Sequence, residues 1–189
     1  KWKESLGPDH IDTLRAMTNL ANTYNRLGRQ TEALPIQEEA LDRLEKSLGI
    51  YHIHTLGAMY NLAHTYRSLG RAKEAVPLQR EVLQKRRELL GLDHRHTLHG
   101  MQDLALTYGL LARDEEAIPL LEEVTERLTK LLGPEHRETM NAMYNLLLVF
   151  YRLRMWEKLK TLANTALPSH EKVYGLEDQK TMWIRNVLK

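Results

Sequence analysis

The sequence contains no cysteine, which excludes a disulfide framework and thiol catalysis and fits a cytoplasmic home. It also has almost no excess of charge. Lysine and arginine number 27 and aspartate and glutamate 25, and a net charge of +2 is too small to mark a nucleic-acid or anionic-membrane partner. No apolar run approaches the ~18 residues that a membrane span needs. There is no glycine-rich phosphate loop and no nucleophile elbow. Carboxylates such as Glu38, Glu39, Glu122 and Glu123 alternate with core positions, as they do on solvated helix faces. Neither an enzyme nor a cofactor is expected. What remains is a soluble composition, 42% hydrophobic and 28% charged.

The chain is built on repetition. Gly7, Gly49, Gly91, Gly133 and Gly175 recur every 42 residues, as do Thr13, Thr55, Thr97, Thr139 and Thr181. His10, His52, His94 and His136 form a third series, broken at Asp178. A fixed period of this length means stacked supersecondary units. Within each unit runs M-x-x-L-[AL]-x-x-[YF], carried by Met17, Leu20, Ala21 and Tyr24 and renewed from Met59, Met101 and Met143; L-G-R-x-x-E-A follows in the first two units.

These residues resemble the tetratricopeptide pattern, with Met in the Trp position and Ala in the Gly position. Gln37 and Gln79 stand where that family has phenylalanine, and its terminal proline is missing, so the second helix runs on. The extra eight residues are about two helical turns, which accounts for a period of 42 against about 34. The longer unit, ending L-G-x-x-H-x-x-T-L, resembles the repeats of kinesin light chains and nephrocystin-type proteins, and most of all those of fungal STAND-type (NLR-like) receptors. The resemblance implies an all-α fold: an α-solenoid, a right-handed superhelix of antiparallel helix pairs.

In chain order, residues 1–7 match the tail of a preceding second helix, so the chain is expected to start inside a longer array. Repeats follow at 8–49, 50–91, 92–133 and 134–175, with 176–189 a partial fifth repeat or capping helix; the whole reads as one array. In the first unit, Leu14, Met17, Leu20, Ala21, Tyr24 and Leu27 form one apolar helical stripe, and Ala33, Ile36, Ala40, Leu41, Leu44 and Leu48 a second. The spacing predicts Gly28 and Gly49 just past the helix ends, in left-handed conformation. Pro35, Pro77 and Pro119 are expected near the start of the second helices, in the first turn, where a missing N–H does little harm, and Pro35 sets the start of its helix at no earlier than about Gln30 or Thr31. The methionine series and the alanines at 21, 63, 105, 33, 75 and 117 are expected in the core. Trp156 is expected over the fourth turn, and Met182 and Leu188 over the fourth unit.

Asn19, Asn61, Asp103 and Asn145 recur at one position of the first helix. The resemblance implies that this position faces a concave groove, where an amide can both donate to and accept from an extended peptide. Helical spacing adds Arg15, Asn22, Arg26, His64, Arg67, His99, Leu106, Leu110, Asn141, Leu148, Tyr151 and Arg152 on the same face, with Tyr60 and Tyr144 beside them. The lining is graded from amide, arginine and histidine to leucine and tyrosine, matching a ligand with a polar or acidic end and an apolar end. His99 and Asp103 replace the basic residues of the chaperone-binding clamp, which disfavours chaperone C-termini.

The histidines of the 42-residue series are too far apart to share a zinc, since stacked units lie ~8–10 Å apart and zinc bonds are ~2 Å. They are expected at helix starts, and no metal is expected. The implied function is a scaffold that binds a peptide or protein segment. Its parent is expected to be a larger STAND-type receptor, alternatively a kinesin-light-chain-like cargo adaptor, or else a module that self-associates through ends such as Trp2 or Trp183.

Overall fold

The computed structural model describes residues 7–189; Trp2 and the expected helix tail over 1–6 lie outside the described residues. Among the described residues there are nine helices and no strand. They run α1 (Ile11–Arg26), α2 (Gln30–Leu48), α3 (Ile53–Ser68), α4 (Ala72–Leu90), α5 (Arg95–Leu110), α6 (Asp114–Leu132), α7 (Arg137–Arg152), α8 (Trp156–Tyr174) and α9 (Gln179–Val187). The first helix of every full repeat has 16 residues and the second has 19. The chain divides into two compact units, residues 1–89 and 90–189.

The 42-residue landmarks meet at the start of each first helix. Nδ1 of His10 accepts a hydrogen bond from the Asp12 N–H at 3.2 Å, and His52, His94 and His136 accept from His54, His96 and Glu138 at the same distance. Each histidine is therefore an N-cap, satisfying a donor the helix leaves open. Asp178 takes that role for α9, accepting from the Thr181 N–H at 3.0 Å. The buried hydroxyls of Thr13 and Thr55 reach back to the carbonyls of Gly7 and Gly49 at 2.9 and 2.8 Å, while Thr139 donates to the Leu128 carbonyl at 3.2 Å.

The turn between paired helices has an equally local cause. The Arg29 N–H returns to the Tyr24 carbonyl at 2.9 Å and the Gly28 N–H to Asn25 at 3.1 Å, a Schellman closure with Gly28 at φ +74°. The arginine that follows then clamps the corner. Arg29, Arg71 and Arg113 stack on Tyr24, Tyr66 and Tyr108 at 4.6, 4.5 and 4.8 Å, and each forks the glutamate three residues on, Glu32, Glu74 or Glu116. The R-x-x-E part of the sequence signature is thus a brace between the last turn of one helix and the first turn of the next.

In the first unit, Leu14, Leu41, Leu44, Leu56, Met59, Leu62 and Val82 form one core, with Met17 half-buried against it. In the second, Met101, Leu121, Val124, Leu128, Met140, Leu147, Leu159 and Ile184 are buried. Each such side chain contributes about 1.5–3 kcal/mol when fully removed from water. All six alanines at the helix crossings are buried, and so are Met59, Met101 and Met143.

Four expectations change. Leu20 and Leu27 are 49% and 65% exposed instead of buried in the α1 stripe. Pro35, Pro77 and Pro119 are the sixth residues of their helices, not first-turn residues, so each removes a donor that the i−4 carbonyl would have used. Met182 faces outward, and the covering of the fourth repeat is done by Thr181 and Ile184, both fully buried. Leu188 is only half-buried, beyond the end of α9.

Candidate functional site

All fourteen predicted site residues are exposed or half-buried, as a binding surface requires. In the first unit the structure brings Asn19 and Asn22 of α1 together with Asn61 of α3. With Arg15, Thr18, Ile53, His54 and Gly57 they line a cleft of about 220 Å³. The asparagine side chains are placed by helix geometry. One turn on, the hydroxyls of Thr23 and Thr65 donate to the backbone carbonyls of Asn19 and Asn61 at 2.9 and 3.1 Å. Arg15 is held by Asp12 at 3.3 Å.

A second cleft, of about 200 Å³, lies in the second unit. Leu106 and Leu110 of α5 and Leu148 of α7 line it with Ala105, Gly109 and Val149, while Asn145 and Arg152 supply its polar groups. Arg152 is fixed by a fork onto Asp114, with Nε at 2.9 Å from Oδ2. A Cβ on Gly109 would come within 3.1 Å of Arg152 Nη2, a tight contact that the arginine would have to relieve by shifting. The first cleft is lined mainly by polar groups and the second mainly by apolar ones.

Other predicted residues lie outside both linings. Arg26 and His64 are exposed and Arg67 is half-buried. Tyr60 lies under the Arg86 guanidinium at 4.5 Å and packs on the first unit's core. His99 Nε2 stands 3.7 Å from Glu138, and the Asp103 carbonyl accepts from Thr107. Tyr144 meets Trp183 edge-on at 5.5 Å, with the Lys180 ammonium over its ring at 4.9 Å; burial raises its pKa. Lys180 also donates to Asn141 at 2.9 Å. Tyr151 lies between Trp156 and Trp183, at 5.8 and 5.7 Å. So α9 and the start of α8 gather the aromatic residues into packing contacts.

Sequence reasoning missed the small residues that open the clefts. Gly57 and Gly109 sit inside helices, where glycine costs up to ~1 kcal/mol against alanine, and that cost was the available signal. A Cβ on Gly57 would meet nothing within 4 Å. A third hollow, lined by Asp93, Glu123, Glu126, Arg127 and Lys130, is spanned by ion pairs among those same residues, including Arg127 to Asp93 at 2.7 Å. Among the described residues no cluster of three metal-ligating side chains occurs, and no helix is long and apolar enough to cross a membrane.

The sequence profile of the tetratricopeptide repeat matches residues 1–46 and 54–130. The chain belongs to the tetratricopeptide repeat family. Solved structures extend the likeness over nearly the whole tetratricopeptide chain. Nearly identical TPR-like repeats of a kinesin-light-chain-type protein from Podosopora anserina superpose with a TM-score of 0.81 at 24% identity, covering 95% of this chain and 85% of that one. BtubC (BKLC) from P. vanneervenii follows at a TM-score of 0.72 and 18% identity, covering 94% and 70%. MamA of Desulfovibrio magneticus RS-1 gives 0.61 at 16%, covering 92% and 90%. At these identities the likeness is one of fold. No curated protein matches.

Proposed function

We propose that this tetratricopeptide chain is a non-enzymatic interaction scaffold whose two clefts each hold a stretch of extended peptide. The observation that carries the reading is the convergence of Asn19, Asn22 and Asn61 on one cleft whose floor is opened by Gly57. Amides can serve both the N–H and the C=O of a passing backbone, and a missing side chain leaves that backbone room to approach. The second cleft offers Asn145 for the backbone and leucines for an apolar side chain.

The test is a random-peptide phage selection against the whole chain, followed by anisotropy measurements on a selected peptide. Asn61→Ala should weaken binding roughly five- to tenfold, the loss of one or two backbone hydrogen bonds. Gly57→Leu should abolish binding at the first cleft while slightly raising helicity. Unchanged affinity in both variants sinks the reading.

For the parent protein, the repeat signature supports the sensing array of a STAND-type receptor acting in the cytoplasm. The structural likeness to kinesin-light-chain-type repeats favours a second reading, a cargo adaptor. The neighbouring sequence in the gene product separates them: a nucleotide-binding domain for the first, a heptad coiled coil for the second.

A further inference from the structure

We propose that the first cleft selects peptides that carry an aspartate or glutamate, whose side-chain carboxylate lies between Arg15 and His54. The inference rests on the peptide reading of that cleft and adds what the peptide must contain. Arg15 stands on α1 and His54 in the first turn of α3, and both line the cleft. The other polar groups of the lining are Thr18, Asn19, Asn22 and Asn61, and no described carboxylate lines it. A guanidinium, an imidazole and three amides, with no acid among them, leave hydrogen-bond donors in excess.

The second unit shows the same pair of positions when it is complete. Two repeats on, Arg15 and His54 are replaced by His99 and Glu138, and His99 Nε2 stands 3.7 Å from Glu138 Oε2. One repeat further the positions hold Asn141 and Lys180, and Lys180 donates to Asn141 Oδ1 at 2.9 Å. In both cases a basic side chain on one first helix meets an oxygen on the next. In the first unit both positions carry basic side chains, so the oxygen is left for a ligand to bring. Arg15 can take it. Its ion pair runs through Nη1 to Asp12 at 3.3 Å, with the two side chains 57% and 44% exposed. Exposed pairs of this kind contribute little, and the guanidinium keeps further N–H donors. Arg152 at the second cleft differs, because Asp114 engages both its Nε and its Nη2. The preference for an acid therefore belongs to the first cleft. The three amides there serve the main chain of the peptide, so the carboxylate is that of a side chain.

The test takes peptides from the random selection that bind the whole chain but not its Gly57→Leu variant, in which the first cleft is filled. These peptides should share an aspartate or glutamate at one fixed position. Each is then titrated by anisotropy beside a version with the matching amide, asparagine or glutamine, at that position. The wild type should prefer the acidic peptide roughly tenfold, the worth of a charged hydrogen bond. Arg15→Gln should bring that preference close to one. His54→Glu puts a carboxylate where Glu138 stands in the second unit, and should turn the preference toward the amide version by like-charge repulsion, with circular dichroism unchanged. Peptides that share no acid, or a preference that either variant leaves at its wild-type value, overturn the proposal. Failure of the underlying peptide reading has another signature. If no peptide distinguishes the wild type from Gly57→Leu and Asn61→Ala changes nothing, both readings fall. If Asn61→Ala weakens the acidic and amide peptides alike while the acid confers no advantage, only this inference falls.

Discussion

Gln37 is 2% exposed, and neither amide atom has a hydrogen-bond partner in the protein. An unsatisfied buried polar group costs about 1–3 kcal/mol, and the same register holds the buried apolar Leu121 and Ala163. Gln37→Leu should therefore raise the denaturation midpoint by about that free energy; no gain would mean that the amide is satisfied by water. Ala112 carries the opposite kind of misfit, standing at φ +54° where Gly28 and Gly70 stand at +74° and +75°. Left-handed backbone costs an L-residue about 1–2 kcal/mol, part of which is returned through the freer unfolded chain of a glycine variant. Ala112→Gly should stabilise by roughly 0.5–1 kcal/mol, and Gly28→Ala should destabilise. His170 is fully buried, and its Nδ1 bonds the Ala166 carbonyl at 3.0 Å. Burial pushes its pKa below the ordinary imidazole value, against the opposing pull of that carbonyl. Its contribution is therefore complete above about pH 6.5 and is lost as pH falls through the lower folded-state value, because the unfolded chain then binds the proton more tightly. His170→Leu, matching Leu44 and Leu128, should flatten that acid-side loss in denaturation curves taken between neutral and acid pH. The glycine, histidine and threonine series were legible in the sequence because each serves a backbone need that recurs with the period. The outward turn of Leu20 was not, since periodicity marks a stripe without saying which neighbour covers it.

At the scale of the element, the helix–turn–helix corner explains a signature that reads from sequence only as a pattern. Arg71 closes it by stacking on Tyr66 while pairing with Glu74, and Tyr66 donates to Glu38 at 2.7 Å, its pKa pushed up to about 12 by burial and by that bond. The fourth repeat supplies an internal control. Met155, Lys158 and Phe150 replace arginine, glutamate and tyrosine together, and the corner survives with Lys158 5.5 Å above the Phe150 ring and Trp156 packed on Tyr151. Arg71→Met should lower the thermal midpoint modestly without unfolding the repeat. High salt should narrow the difference by screening the ion pair but not erase it, because the stacking contribution is less sensitive. Equal midpoints at low salt would deny the brace any role. The helices and their order were legible from two periodicities and the glycine punctuation. The start of α2 at Gln30 was legible as well; what differs is that Pro35 then falls a full turn inside the helix and not in its first turn.

At the scale of the molecule, each unit is held by contacts between successive helices, the nearest-neighbour logic of repeat proteins. Amide exchange should then be faster in the nine-residue α9, the last described helix, which packs on α8 and through Trp183 on α7, than in α7, which lies between α6 and α8. The reverse order would mean that stability is not shared out by neighbours. The family was legible from the residue pattern, and the clefts only in part: the asparagine register was visible, but the glycines that give it depth are single residues without a period. The central claim is that those asparagines face the ligand. Titration of the isotopically labelled whole chain with a selected peptide, followed through the side-chain amide resonances of asparagine, tests it most directly. The account predicts the largest shifts at Asn19, Asn22 and Asn61 for a polar peptide and at Asn145 for an apolar one. Shifts confined to the far hollow around Asp93 and Arg127, with the four asparagine amides unmoved, would contradict it.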